Sequence, residues 1–463
     1  MARLSQLERY MEYVCEALGH ADRRAGFADY GRALMLPIER KSVEPLAAQM
    51  DPWHVSAKHQ SLHHVVAKSD WSDEAVLARV REWVAPALKV VQGCYWIVDD
   101  TGFPKKGQHS VGVARQYCGQ LGKQDNCQVA VSLSLASECG SLPIDWRLYL
   151  PDEWAKDKTR RKRAGVPEAI EFATKPQISL AQIRAAQAVG VPRGVVLADA
   201  AYGGETAFRE ALGAMQMSYC VGVRSSTTVW SSGSGPLPPA VKKTRGRGRP
   251  ATRLRREPRH PAPSVREVAL SLPSRAWRTL SWREGTNQPL RSRFAALRVR
   301  AAHRDYKRQR ERAEEWLLIE WPKGEVEPLK YWMTNLPPRI PVNDLINTAK
   351  MRWRIERDYQ ELKQEFGLGH YEGRGWRGFH HHATLCIAAY GFLVAHRIKG
   401  GGAKKNSARP ETSALPEDYT PRGSRQNPAS RTRFHRQPSL SIRPGDRQTS
   451  RALPVLYDAH GQT

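Results

Sequence analysis

No apolar run in the chain approaches the roughly 20 residues of a membrane span. The opening Met-Ala-Arg-Leu-Ser-Gln-Leu-Glu-Arg-Tyr lacks the apolar core of a secretory signal. The expectation is a cytoplasmic protein with no membrane partner. Cysteine is sparse and odd in number: Cys15, Cys94, Cys118, Cys127, Cys139, Cys220 and Cys386, with no Cys-x-x-Cys among them. That excludes a disulfide framework and a zinc ribbon, and predicts mostly buried, reduced thiols. Acidic residues are also in deficit, 46 Asp and Glu against 73 Lys and Arg in 463 residues, a formal charge of +27. A polyanionic partner accounts for such an excess, and nucleic acid is favoured over a lipid surface because no basic amphipathic helix stands alone at either end.

The length suits two or three domains. Residues 1–88 read as helical, with Leu4, Leu7, Tyr10 and Met11 at helical spacing, and as a probable DNA-binding domain. His59, His63 and His64 fall close together there. No Cys or carboxylate completes a ligand set beside them, so packing or DNA-facing roles are preferred to a metal site. Residues 91–98 form an apolar run of strand formers that stops at Asp99-Asp100-Thr101-Gly102. Strands are expected at 111–117 and 127–136, a helix at 179–189, and a second buried strand, Gly194-Val-Val-Leu-Ala-Asp199, again ending on an Asp. A helix near 206–212 and a strand at 218–223 follow. The order suits an α/β fold with a mixed sheet flanked by helices over residues 89–224, completed by 336–398.

Between those parts, residues 225–335 read as a β-rich insertion, with strands expected at 268–272, 278–282, 294–299, 316–321 and 329–333. It opens with the basic run Lys242-Lys-Thr-Arg-Gly-Arg-Gly-Arg-Pro250, in which Arg245, Arg247 and Arg249 are candidate DNA contacts; Arg-Gly-Arg-Pro matches a short minor-groove hook. A generic basic loop is the competing reading. Residues 399–463, rich in Pro, Ser, Arg and Gln, read as a disordered basic tail.

The stretch 351–366 predicts one amphipathic helix, because Ile355, Tyr359, Leu362 and Phe366 recur at i, i+4, i+7 and i+11. Gly367 ends it. Arg352, Glu356 and Lys363 share the neighbouring face. On its own that is an ordinary solvated face. Its meaning changes if the two strand-end acids converge on it: Asp100, Asp199 and Glu356 would supply the oxygen ligands of two Mg²⁺ ions about 3.5–4 Å apart, as in phosphodiester chemistry. Arg352 and Lys363 would then hold DNA phosphates. The run His380-His-His382 opens an apolar helix at 383–397; three adjacent histidines cannot face one ion on a helix, so packing or DNA-facing roles are again preferred.

These residues resemble the DDE transposases of bacterial insertion sequences, of the family 4 and family 701 type, in the branch with a Tyr-x2-Arg-x3-Glu-x6-Lys signature. Arg352, Glu356 and Lys363 fit its latter part, and Ala349 stands where that branch has tyrosine. Asp100-Thr101, Asp199-Ala-Ala-Tyr-Gly203, Asp-Asp-Thr-Gly-Phe-Pro-Lys-Lys-Gly107 and Gly378-Phe-His-His-His382 extend the likeness, which covers about residues 90–397. The resemblance implies a ribonuclease-H-like catalytic domain interrupted by a β-rich insert. It implies cleavage at element ends, joining of the freed 3′-hydroxyls to target DNA by transesterification, and Mg²⁺ or Mn²⁺, two ions per site. It also implies a homodimer on two terminal inverted repeats, acting at the nucleoid. Asp99 rivals Asp100 as the first acid; Asp100 is preferred because the family places Thr directly after it. A ribonuclease-H-like nuclease that cuts without joining, and a catalytically dead DNA-binding regulator, are the alternatives.

Overall fold

The structure, a computed structural model, describes residues 4–240, 251–283 and 290–400. The chain begins with helices α1 (Gln6–Cys15), α2 (Asp22–Leu34), α3 (Val43–Met50), α4 (Val55–Ala67) and α5 (Asp73–Leu88). A capping box starts α1: Ser5 Oγ accepts the Glu8 N–H at 3.2 Å, and the Glu8 carboxylate accepts the Ser5 N–H at 2.7 Å.

The strands are β1 (Tyr95–Pro104), β2 (Ala114–Cys118), β3 (Lys123–Ala136), β4 (Ser141–Leu148), β5 (Val195–Ala198), β6 (Tyr219–Val223), β7 (Val229–Ser231), β8 (Arg278–Arg283), β9 (Leu290–Ala301), β10 (Glu315–Pro322) and β11 (Lys330–Thr334). They join one sheet in the order β2-β3-β1-β5-β6-β11-β10-β9-β7, with β4 also on β3 and β8 on β9. Among the described residues only the β1–β5 and β5–β6 pairings are parallel. Those central strands are buried on both faces, which is why they read as continuous apolar runs.

Helices α6 (Asp152–Lys156), α7 (Lys158–Ala164) and α8 (Lys175–Ala188) connect β4 to β5, and α9 (Ala200–Gly203) and α10 (Thr206–Ala214) connect β5 to β6. Helix α11 (Val265–Ser271) lies between β7 and β8, and α12 (Val342–Lys350), α13 (Trp353–Gln364) and α14 (Trp376–Gly400) follow the sheet. The fold is therefore mixed α/β, as expected.

Two local expectations differ. Residues 268–272 lie mostly in α11, because Ser264 and Glu267 form a capping box that nucleates a helix where the apolar run alone read as a strand. The expected single helix at 351–366 begins at Trp353, after a break at Met351–Arg352 that separates it from α12. The strands of residues 225–335 join the main sheet: β11 pairs with β6, from Tyr331↔Val223 to Thr334↔Cys220.

The amino-terminal helices pack on α14. Tyr10 donates its hydroxyl to Ala388 O at 2.7 Å, and Thr384 donates to Asp73 Oδ1 at 2.7 Å. The run His380–His382 is buried in this contact: His380 Nε2 lies 3.2 Å from the Leu148 amide, His381 Nδ1 3.1 Å from the Asp73 carboxylate, and His382 Nδ1 3.0 Å from the Tyr30 hydroxyl. The three rings pack. Among the described residues no helix is long and apolar enough to cross a membrane. Arg245, Arg247, Arg249 and residues 401–463 of the expected tail lie outside the described residues; Lys399 and Gly400 belong to α14.

Candidate active site at the ends of the central parallel strands

Strands β1 and β5 run parallel in a register offset of one hundred residues: Tyr95↔Val195, Trp96↔Val196, Ile97↔Leu197. The paired residues end at Ile97↔Leu197; continued by two positions, the register would set Asp99 opposite Asp199, the residue that follows β5, and the Asp199 charge acts on the Asp99 carboxyl. Level residues on adjacent strands share a face, and neighbouring strands lie about 4.8 Å apart. Asp199 also caps α9, with Oδ1 accepting the backbone N–H groups of Ala201 at 2.8 Å and Tyr202 at 3.4 Å. Strand β6 passes closely behind this turn. A Cβ on Gly222 would meet Ala200 N at 2.9 Å and the Asp199 carbonyl carbon at 3.1 Å, so only glycine leaves the turn in place.

Helix α13 brings the third acid. Ile355, Tyr359, Leu362 and Phe366 are all buried, and Tyr359 shares a 2.7 Å hydrogen bond with Ser132 of β3. Gly367 closes the helix with φ +67°, and Leu368 N–H returns to Leu362 O at 2.9 Å. This anchoring leaves Glu356 on the open side, its side chain 69% exposed. Arg352 joins the parts: it donates to Asp99 Oδ2 at 2.6 Å and lies 3.5 Å from Glu356 Oε1.

The electrostatics agree with that geometry. Burial pushes the Asp99 carboxyl up to about 6; Arg352 pulls it back, and the charges of Asp199 and Asp100 add to the rise. Burial works against the Arg352 cation, yet Asp99, Asp199 and Glu356 together raise its pKa. One guanidinium therefore senses three carboxylates.

Asp100 points the other way, as successive strand residues do. Lys175 Nζ lies 3.1 Å from its Oδ1, and the Tyr202 hydroxyl donates to its Oδ2 at 3.1 Å. Arg352 thus contacts Asp99 and Glu356 and feels the charge of Asp199, while Asp100 turns toward Lys175 and Tyr202.

A family model described as DDE superfamily endonuclease matches residues 13–289, more than half of the chain. The chain belongs to the DDE superfamily endonucleases. The match includes Asp99, Asp100 and Asp199 and stops before α13. A curated relative, the probable transposase for insertion sequence element IS701 of Microchaete diplosiphon, is 35% identical over 170 residues, 36% of this chain and 41% of that protein. The chain thus aligns with about two-fifths of the length of the relative it matches.

For a DDE endonuclease the acids must suit divalent ions. Carboxylate oxygens are the donors that Mg²⁺ and Mn²⁺ prefer, and a buried carboxyl held near 6 has charge to share with a cation. Among the described residues no three His, Cys, Asp or Glu side chains stand close enough to hold an ion together. The Arg352 guanidinium occupies the space between Asp99 and Glu356. The donor set fits in kind, and Arg352 is the group that would have to yield.

Lys363 is not free on the helix face. Its ammonium donates to Gly102 O at 2.8 Å and Gln120 Oε1 at 3.0 Å, and burial lowers its pKa to about 8. Two site residues escaped the sequence reading. Tyr202 lies inside the Asp199-Ala-Ala-Tyr stretch, where a signal was at hand. Lys175 is marked only indirectly, by the Thr174-x-x-Gln177 capping box that opens α8.

Proposed function

We propose that this DDE endonuclease is a DNA transposase that cuts at the ends of its own element and joins the freed 3′-hydroxyls to target DNA. The observation that carries the reading is the link that Arg352 makes between Asp99 of β1 and Glu356 of α13, next to Asp199 at the end of the parallel neighbour β5. The named relative supports it. The order β3-β1-β5-β6, with α13 supplying the last acid, is read as a ribonuclease-H-like core. Residues 1–88 are read as the DNA-positioning part, and residues 225–335 as an insertion whose strands lengthen the sheet.

In this reading Asp99, Asp199 and Glu356 hold the divalent cations. When bound, Mg²⁺ or Mn²⁺ activates the attacking oxygen and stabilises the leaving one. Asp100, fixed by Lys175 and Tyr202, keeps the middle of β1 in place behind the acids. Arg352, which donates to Asp99, would present its fork of donors to a phosphate of the DNA. Lys363 keeps the Gly102 segment next to the strand. A homodimer on two ends completes the proposal.

The test is to incubate the protein with Mg²⁺ and the DNA that flanks its own gene, map nicks to the nucleotide, and offer pre-cut ends to a target plasmid. Nicks at the element boundary followed by joining support the reading. Cutting without joining points to a plain nuclease, and end binding without cutting to a regulator.

A further inference from the structure

Away from the acids lies a cleft of about 360 Å³ lined by Gln108, His109, Trp154, Arg160, Arg163 and Arg374. No carboxylate is among the described residues that line it. The contrast is the cavity between α13 and α14, where Arg357 and Arg397 both pair with the Glu361 carboxylate. There the cations are answered within the protein. In the Arg160 cleft they are not.

The cleft is also built to keep its cations in place. Trp154 is buried and donates its indole N–H to Val113 O at 2.7 Å, which makes it a fixed platform. The Arg160 guanidinium stacks on that ring at 3.8 Å and donates to Gln108 O at 3.2 Å. Arg161, on the other side of α7, donates to Ala155 O at 3.2 Å and Pro167 O at 3.0 Å, which fixes the helix so that Arg163 stays exposed on the cleft side. Val111 N–H donates to Arg374 O at 3.0 Å and ties the opposite wall to the segment after β1. An oriented guanidinium loses little freedom on meeting a phosphate and can bind it through two parallel N–H groups.

We propose that this cleft receives the phosphate backbone of duplex DNA within about one helical turn of the cleavage point. Gln108 is nine residues beyond Asp99 in the chain. At about 3.3–3.6 Å per extended residue the two cannot be more than roughly 30 Å apart, less than the ~34 Å of one duplex turn. Arginines on two separate segments in an open cleft, Arg160 and Arg163 on one and Arg374 on the other, match a backbone strand. The location relative to cleavage rests on the transposase reading; the phosphate contact does not.

The test uses the full chain, a fluorescent 30-base-pair duplex and a salt series read by anisotropy. Arg163→Gln with Arg374→Gln, both on exposed side chains, should lower the log–log salt slope by about 0.9 for each phosphate that is no longer neutralised. It should also weaken binding by at least about tenfold, with an unchanged melting temperature; Arg163→Lys with Arg374→Lys should restore most of the slope. An unchanged slope in the folded glutamine variant overturns the proposal. So does displacement of the wild-type duplex by inorganic phosphate beyond what chloride achieves at equal ionic strength, since the cleft would then be a small-anion site. A lowered slope in a protein that never nicks DNA would sustain the cleft and remove the transposase reading. Normal nicking with no change in slope would do the reverse.

Discussion

Arg352, at the N-cap of α13, reaches Asp99 of β1 at 2.6 Å across 253 residues of chain. Asp99 is largely buried, so the guanidinium offsets a carboxylate that would otherwise be costly to ionise. Arg352→Met should therefore raise the Asp99 pKa further above 6 and destabilise the fold at neutral pH by about 2 kcal/mol, less than the ~3–5 kcal/mol of a fully buried broken pair. The folded carboxyl then holds its proton more tightly than the unfolded chain, so the deficit should grow from pH 5 to pH 8. Urea denaturation of both proteins across that range checks it.

Asp358 gives the wild-type protein a pH dependence of its own. Burial pushes its carboxyl from the ordinary 3.8 up to about 7; hydrogen bonds from Ser141 and Tyr390 and the charge of Arg354 lower it, while Glu361 raises it. The folded state therefore keeps a proton that the unfolded state releases, and stability should fall as pH rises from about 4 toward 7. Asp358→Asn should flatten that decline, by on the order of 3 kcal/mol across the window. Melting temperatures at pH 4.5, 5.5, 6.5 and 7.5 would show an unchanged slope if the side chain were already ionised.

Gly222→Ala tests how tightly the Asp199 turn is held. The added methyl would meet Ala200 N at 2.9 Å and the Asp199 carbonyl carbon at 3.1 Å, so the turn must shift by a few tenths of an ångström. Small displacements of a catalytic group are costly, about a hundredfold for ~1 Å. Nicking should fall roughly tenfold or more while DNA affinity, measured in EDTA, stays within about twofold.

Tyr359→Phe removes the hydroxyl that shares a 2.7 Å bond with Ser132 and leaves the buried serine without that partner. The cost should be about 1–2 kcal/mol by denaturant unfolding. Ser132→Ala in the same background should recover part of it, because both polar groups are then gone. Further loss in the double variant would mean that the two hydroxyls do not act as a pair.

Much of this was legible in the sequence, and the parts that were not share a cause. The stripe Ile355, Tyr359, Leu362 and Phe366 gave α13 by period alone, and the apolar run before Asp199 gave β5. Period and composition act locally. Choosing between Asp99 and Asp100 requires the register of β1 against β5, a contact across one hundred residues, and neighbouring acids in a strand differ only in the face they take. The pairing of β11 with β6 is likewise non-local, so the sequence alone does not say which strand the insertion joins. Lys175 reaches Asp100 from a helix start that looks like any capped terminus. At residues 268–272 the information was local and a stronger signal, the Ser264–Glu267 capping box, outweighed the apolar run.

The measurement that bears most directly on the account is Mg²⁺-dependent nicking of end DNA by a panel of single variants, each first shown to melt and to bind DNA as the parent does. Asp99→Asn, Asp199→Asn and Glu356→Gln should each lose roughly a thousandfold or more in rate, the scale of removing a group that stabilises the reacting charge. Asp100→Asn, which keeps its size beside Lys175 and Tyr202, should stay within about tenfold of the parent. An inactive Asp100→Asn beside an active Asp99→Asn would contradict the account, for the acid that works would then be the one facing away from Arg352.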